Sequence, residues 1–152
     1  MKNIYKYIIM LVFLFSPSVL PADKKIEVGI DEQLGKTIPL QEYFVDENGN
    51  KVLLKDLFTK PTVFAFVYYN CPGICSPLLL ELTDVVNKTD LVIGVDFNIV
   101  VISMDETETP SDALTKKKTF FQAFNKTVPP ESWKFLTGDS ASIKKVADGA
   151  GF

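Results

Sequence analysis

The chain lacks two residue types that often define a functional site, histidine and arginine. Its 152 residues include no histidine, and all 16 of its basic residues are lysines. The absence of histidine complicates any interpretation of a metal site. Without arginine, bidentate recognition of phosphate or carboxylate is not expected to be the main function. The formal net charge of −3 gives no indication of nucleic-acid binding.

Cysteine is also scarce, because Cys71 and Cys75 are the only two in the chain. Three interpretations are open from the residues alone: a structural disulfide, a thiol–disulfide exchange pair, or a site for a soft metal. Outside the cytoplasm a cysteine pair is normally a disulfide. A loop this short gains little closure entropy, which weakens the structural interpretation. Two thiolates suit Cu(I), whereas Cu(II) prefers a site that also has nitrogen ligands.

The N-terminal 22 residues have the pattern of an export signal. Lys2 and Lys6 precede an apolar stretch over residues 7–20, which is shorter than the roughly 20 residues of a membrane-spanning helix. We predict a cleaved signal peptide over residues 1–22, with a retained membrane anchor as the alternative. Residues 23–152 are then expected to form one exported domain, periplasmic or anchored facing the periplasm, with membrane contact only through the N-terminal segment.

The order of the expected elements indicates an α/β layer fold. Asn48-Gly49, between apolar runs at residues 43–45 and 52–54, predicts a β-hairpin followed by a short helical turn. Residues 62–69 predict a central strand buried on both faces, and further strands are expected at residues 97–103 and 133–137. Helices are expected between and after these strands, which implies parallel pairing.

The two cysteines lie at a strand-to-helix junction in this scheme. Ser76 is a suitable N-cap and Pro77 suits the first helical position. Cys75 would therefore lie at or next to a helix N-terminus, which stabilises a thiolate. Pro72 and Gly73 are expected to shape the turn that aims both sulfurs in one direction.

Other conspicuous side chains have ordinary structural interpretations. Asp105 is expected to be a capping or solvated loop carboxylate, with support of the site or contact with a partner as the alternative. Met104 is expected to pack, although it could serve as an accessory soft ligand. Tyr68, Tyr69 and Trp133 are expected to be core aromatics. Glu106 and Glu108 are expected to lie in a solvated acidic loop, with docking of a basic partner as the alternative. Residues 116–118 are expected to form the solvated side of a helix.

The segment Val67-Tyr68-Tyr69-Asn70-Cys71-Pro72-Gly73-Ile74-Cys75-Ser76-Pro77-Leu78-Leu79 resembles the copper-site motif of the Sco/SenC family. These are thioredoxin-like copper-binding proteins of respiratory oxidase assembly. Several flanking landmarks resemble the family in the same order, and the resemblance covers roughly residues 27–152. They are residues 29–40, Ser103-Met104-Asp105 with Thr109-Pro110, residues 133–138 and residues 146–152.

The resemblance implies a thioredoxin-like (peroxiredoxin-like) sheet flanked by helices, with an N-terminal hairpin. It also implies that Cys71 and Cys75 are the thiolate ligands of a copper ion, Cu(I) or Cu(II). The family's third ligand, a histidine, and its final hairpin and helix are expected beyond Phe152, which would leave an open sheet edge. The implied function is a metallochaperone for the dinuclear copper site of cytochrome c oxidase. The alternative is a thiol–disulfide reductase that acts on oxidase cysteines or other exported proteins.

Overall fold

The structure, a computed structural model, describes residue 29 and residues 31–152. The predicted signal peptide over residues 1–22 lies outside the described residues. None of the helices in the described part of the chain is long and apolar enough to cross a membrane. The elements, in chain order, are β1 (Tyr43–Asp46), β2 (Lys51–Leu53), α1 (Leu54–Leu57), β3 (Thr62–Val67), α2 (Cys75–Lys88), β4 (Asn98–Ser103), α3 (Pro110–Phe121), a 3-10 turn (Pro130–Ser132), β5 (Trp133–Thr137) and α4 (Ser140–Ala150).

The five strands form one sheet in the order β2-β1-β5-β4-β3. The strands β3, β4 and β5 are parallel to one another, as the alternation of strands and helices predicts. The hairpin of β1 and β2 joins this parallel part through antiparallel pairing of β1 with β5. Gly49 occupies the hairpin turn with a φ of 84°, a conformation that glycine adopts without steric cost. The expected α/β fold is confirmed.

The position of β3 corrects the expectation for residues 62–69. This strand lies at the edge of the sheet, and within the described residues it pairs only with β4. Val63 is 40% exposed, so the strand is not buried on both faces along its whole length. Within the parallel part of the sheet the middle strand is β4, which pairs with β3 and β5. A continuous apolar run indicates burial of side chains, but it does not specify how many strands flank it.

The sheet separates two hydrophobic clusters. Alternate residues of β4 point to opposite faces, as the two-residue period of a strand requires: Ile99 and Val101 belong to one cluster, and Val100 and Ile102 to the other. The first cluster includes buried residues of α2 and α3, and the second includes buried residues of α4. Trp133 and Phe135 of β5 stack within the first cluster, with ring centroids 5.5 Å apart.

A buried ion pair corrects the expectation that residues 116–118 form a solvated surface. Lys117 is 6% exposed, and its Nζ lies 2.5 Å from Oε1 of Glu47. The ammonium also donates to the carbonyl of Pro130, and the other carboxylate oxygen of Glu47 accepts from the N–H of Phe135 at 3.1 Å. Burial lowers the pKa of Lys117, although Glu47 opposes that change. Three consecutive residues of an α-helix span more than half of its circumference, so a run of three lysines is not confined to one solvated face.

The ion pair gives a stability prediction. Replacing Lys117 by methionine keeps most of the side-chain volume but leaves a buried carboxylate at Glu47 without its closest cation. We expect the free energy of unfolding, measured by urea denaturation, to fall by about 3 kcal/mol. The matched control is Lys118→Met on the exposed side of the same helix, which should change it by less than about 0.5 kcal/mol. Equal effects of the two substitutions would contradict this assignment.

Candidate thiol and metal site

The helix that carries the second cysteine begins earlier than expected. Cys75 is the first residue of α2, and the N-cap is Ile74, which makes no side-chain capping hydrogen bond. The N-cap prediction for Ser76 is therefore wrong. Ile74 already has helical dihedral angles, with φ −73° and ψ −20°, so the turn after Cys71 runs directly into the helix. Pro77 remains compatible because its missing N–H falls in the first turn, where amides have no partner inside the helix.

Both thiols are free, and each accepts a hydrogen bond from a backbone amide. The Sγ of Cys71 accepts from the N–H of Gly73 at 3.3 Å. The Sγ of Cys75 accepts from the N–H of Tyr68 at 3.4 Å, across the loop. Cys75 is 7% exposed and belongs to the first hydrophobic cluster, whereas Cys71 is half-buried at its margin. The two sulfurs therefore occupy different surroundings.

These surroundings move the two thiol pKa values in opposite directions. The N–H of Cys75 lowers the pKa of Cys71 most, and the N–H of Gly73 and the thiol of Cys75 add to the effect. Burial raises the pKa of Cys75, and its contact with the sulfur of Cys71 raises it further. Cys71 is thus the thiol that ionises first, and the amides at the start of α2 stabilise its thiolate.

Lys116 supplies positive charge that was not apparent from the neighbouring sequence. Its Nζ lies 3.0 Å from Oγ of Ser76, in the first turn of α2. The ammonium makes a small contribution that lowers the pKa of both cysteines. Lys116 belongs to α3, 40 residues away from Ser76 along the chain, so only the packing of α3 beside α2 brings it here.

Glu108 is the main functional candidate that sequence reasoning missed. It is 8% exposed, which contradicts the expected solvated acidic loop, whereas Glu106 is exposed as expected. The carboxylate accepts hydrogen bonds from the N–H groups of Tyr69 and Asn70, at 2.8 and 2.7 Å. It also accepts one from the hydroxyl of Ser103 at 2.6 Å. Hydrogen bonds to a charged acceptor contribute about 1.5–3 kcal/mol each, so Glu108 firmly holds the backbone that leads into Cys71.

The remaining candidates mostly follow their structural interpretations. Asp105 accepts from the hydroxyl and the N–H of Thr107, which lower the pKa of Asp105, so it is a capping loop carboxylate. Met104 packs against the second hydrophobic cluster. Tyr69 and Trp133 are buried, but the core assignment of Tyr68 is wrong, because this residue is 45% exposed. The strand ends at Val67, so Tyr68 no longer lies over a face of the sheet.

The donor set that the described residues offer to a metal consists of two sulfurs. No group of three or more cysteine, aspartate or glutamate residues in the described part of the chain is placed to hold a metal ion. Cys71 and Cys75 are near enough for each thiol to shift the pKa of the other. Two thiolates fit Cu(I), whereas Cu(II) is not satisfied by sulfur alone. The same pair can also form a disulfide, so the geometry permits both a metal site and a redox site.

The family to which the chain belongs follows from a match to the SCO1/SenC family model over residues 33–151. The chain is a member of the SCO1/SenC family. The resemblance seen in the Cys71–Cys75 segment and its flanking landmarks is therefore confirmed. The SCO1 protein homolog of Bacillus subtilis (strain 168) is 30% identical to the chain over 99 residues, which cover 65% of this chain and 48% of the homolog. The chain thus spans about half the length of that relative.

Solved structures of similar proteins share the fold. A putative electron transfer protein from Aquifex aeolicus VF5 is 26% identical, with a TM-score of 0.65 over 76% of this chain and 65% of that one. The ScoI protein of Bradyrhizobium japonicum, solved with copper bound, is 31% identical, with a TM-score of 0.51 over 70% of this chain and 62% of its own. The likeness supports the thioredoxin-like assignment of the sheet.

The opposite pKa shifts predict an order of alkylation. Because the thiolate is the nucleophile, we expect iodoacetamide to modify Cys71 with a pH midpoint below that of an ordinary thiol, and Cys75 with a midpoint above it. Peptide mass spectrometry of the reduced protein over a pH series measures both midpoints. The midpoint reports the pKa of each thiol, whereas the exposure of the thiol changes only the overall rate of alkylation. In Cys75→Ser the backbone N–H of residue 75 remains, so the midpoint of Cys71 should stay low. A lower midpoint for Cys75 than for Cys71 would refute this order.

Proposed function

We propose that this chain is a copper-binding metallochaperone that holds one copper ion through the thiolates of Cys71 and Cys75. The proposal rests on two neighbouring thiols at the start of α2, neither of them in a disulfide. The pKa of Cys71 is lowered, whereas Cys75 is buried and its pKa is raised. Copper bound to the 31% identical ScoI protein supports it. The proposed recipient is the dinuclear copper site of a cytochrome c oxidase subunit, in keeping with the oxidase-assembly role of the Sco/SenC family.

The donors of the chain favour Cu(I) as the cargo. Cys71 ionises first and provides the first thiolate, and binding at Cys75 then releases the proton of the second thiol, since only the thiolate is a ligand. Cys71 is the more exposed sulfur. An incoming thiolate of a partner therefore reaches the ion from the side of Cys71, and transfer proceeds by exchange of one sulfur ligand for another. The family's third ligand, a histidine, has no counterpart among the residues of this chain.

The proposed location is outside the cytoplasm. Residues 1–22 would export the domain, either as a cleaved signal peptide or as an anchor that keeps the domain at the membrane surface on the periplasmic side. An oxidase subunit that receives copper there would be the partner. An exported cysteine pair is normally oxidised unless it is kept reduced or bound to metal, and a bound copper ion would keep Cys71 and Cys75 out of a disulfide.

Copper titration tests the proposal. We expect the reduced 152-residue chain to bind one Cu(I) in competition with a chromophoric Cu(I) chelator. Cys71→Ser and Cys75→Ser should each weaken binding by at least about 100-fold, beyond the 10- to 100-fold typical of residues that only support metal ligands. Ser76→Ala is the matched control, because it lies beside Cys75 and keeps both thiols, and its affinity should stay within a few-fold of the wild type. Wild-type affinity in either cysteine variant would remove the copper function from this chain.

A thiol–disulfide reductase is the second candidate, favoured by the asymmetry of the two thiols. The thiolate of Cys71 would attack one sulfur of a partner disulfide, and the other partner sulfur would leave and take up a proton. Cys75 would then lose its proton and attack the sulfur of Cys71, which releases the second partner sulfur as a thiol. Two electrons pass to the partner, and the pair ends as a disulfide. Oxidase cysteines or other exported proteins would be the substrates.

Trapping the mixed disulfide tests this second candidate. With oxidised glutathione as the probe, Cys75→Ser should accumulate a glutathione adduct on Cys71, because the resolving thiol is absent. Cys71→Ser, which leaves only the buried thiol with a raised pKa, should form the adduct much more slowly. Intact-mass spectrometry measures both adducts. Equal rates of adduct formation in the two variants would argue against distinct attacking and resolving roles.

A further inference from the structure

The backbone that leads into Cys71 is fixed by a side chain from a different part of the chain. After β3 ends at Val67, three successive N–H groups have defined acceptors. The N–H of Tyr68 donates to Sγ of Cys75 at 3.4 Å. The N–H groups of Tyr69 and Asn70 donate to the two carboxylate oxygens of Glu108 at 2.8 and 2.7 Å. The sulfur of Cys75 and the carboxylate of Glu108 therefore hold the backbone of residues 68–70, where the chain leaves the sheet.

We propose that Glu108 is a positioning residue that sets the placement of the Cys71 sulfur relative to the Cys75 sulfur. Cys75 is fixed by the helix α2, of which it is the first residue, and by the hydrophobic cluster around it. Cys71 lies in the loop, one residue after the Asn70 amide that Glu108 holds. The inference deepens the proposed copper and thiol function, and it rests on that function only for the identity of the ion.

Glu108 is itself held on both sides. The hydroxyl of Ser103, at the end of β4, donates to Oε2 of Glu108 at 2.6 Å. The residue after Glu108 is Thr109, the N-cap of α3, whose capping box with Asp112 fixes the backbone there. The N–H of Glu108 also donates to the carbonyl of Asp105 at 3.2 Å. The carboxylate is thus a rigid link between the end of β4, the start of α3 and the cysteine loop.

The chemistry of the contact requires a carboxylate. Two amides and one hydroxyl all donate hydrogen bonds to Glu108, so its side chain must provide acceptors only. A carboxylate has acceptor sites on both oxygens. A glutamine of the same shape has one acceptor oxygen, and its NH₂ group would face the amide of either Tyr69 or Asn70. Glu108→Gln therefore loses one of the two backbone contacts while changing the volume very little.

Holding the two thiols in a fixed relative position favours both a disulfide between them and the binding of one metal ion by both sulfurs. Holding reacting groups in place increases their effective concentration, and this applies to closure of a disulfide and to chelation of one ion. The reference reaction is exchange with oxidised glutathione. The Cys71–Cys75 bond forms and the glutathione disulfide breaks, two electrons pass to glutathione, and the two cysteine protons end on two reduced glutathione molecules.

The test compares Glu108→Gln with Glu106→Gln. Glu106 lies in the same loop and is exposed, and within the described residues its carboxylate makes no hydrogen bond to the cysteine loop. In Glu108→Gln we expect the equilibrium constant for disulfide formation against glutathione to fall about tenfold, which raises the midpoint potential by about 30 mV. We also expect Cu(I) affinity to fall about 10- to 100-fold. In Glu106→Gln both quantities should equal those of the wild type.

The two readouts distinguish this inference from the proposed function. If the wild type binds no Cu(I) but Glu108→Gln still lowers the disulfide constant, the copper function fails and the positioning role stands. If the wild type binds Cu(I) and Glu108→Gln matches Glu106→Gln in both readouts, the positioning role is overturned. A purely structural role would lower the free energy of unfolding without changing the potential of the folded protein, which would also overturn it.

A second variant keeps the test decisive if Glu108→Gln does not fold. Glu108→Asp keeps an acceptor-only group on a side chain that is one carbon shorter, so it weakens the contacts to Tyr69 and Asn70 without introducing a donor. The disulfide constant should fall in the same direction, by a smaller factor than tenfold. A folded Glu108→Asp protein with wild-type values for the potential and for Cu(I) affinity would rule out the positioning role.

Discussion

The parallel pairing of β3 with β4 is the constraint on which the site depends. The register sets Val67 opposite Ser103, and the N–H of Met104 donates to the carbonyl of Val67 at 2.9 Å, one residue beyond the strands. The segments that follow β3 and β4 therefore leave the sheet side by side at its carboxyl edge. One continues into the cysteine loop and the other into the acidic loop, so Glu108 can reach the amides of Tyr69 and Asn70.

Two anchors hold the cysteine loop, and both act on Tyr69. The ring of Tyr69 is buried in the first hydrophobic cluster, and its hydroxyl donates to the carbonyl of Leu136 at 2.7 Å. The N–H of the same residue is held by Glu108. Burial raises the pKa of Tyr69 well above its usual value, and the charge of Glu108 adds to this effect, so the phenol remains a neutral donor. The loop is thus fixed before Cys71 by both an apolar and a polar contact.

The buried pair of Glu47 and Lys117 connects the hairpin to the same arrangement. Glu47 follows β1, and its carboxylate binds both Lys117 of α3 and the N–H of Phe135 in β5. This contact orients α3 against the sheet. The orientation of α3 in turn helps to bring Glu108, two residues before its start, to the amides of the cysteine loop, and Lys116 next to Ser76. A charge network outside the cysteine loop therefore contributes to the position of the groups around the two sulfurs.

The sequence by itself determined the local elements, the thiol pair and the family. The Asn48-Gly49 turn and the apolar strands at residues 97–103 and 133–137 are short-range patterns, and each is found within the range where it was expected. The prediction of an N-cap at Ser76 was wrong, because Ile74 already has helical dihedral angles and the helix begins at Cys75. The capping pattern of the sequence does not specify that earlier start. Only the tertiary structure decided the edge position of β3, the burial of Lys117 and the role of Glu108. These features depend on contacts between residues 36 to 70 positions apart, and a local pattern of polarity contains no information about which distant donor or charge will meet it.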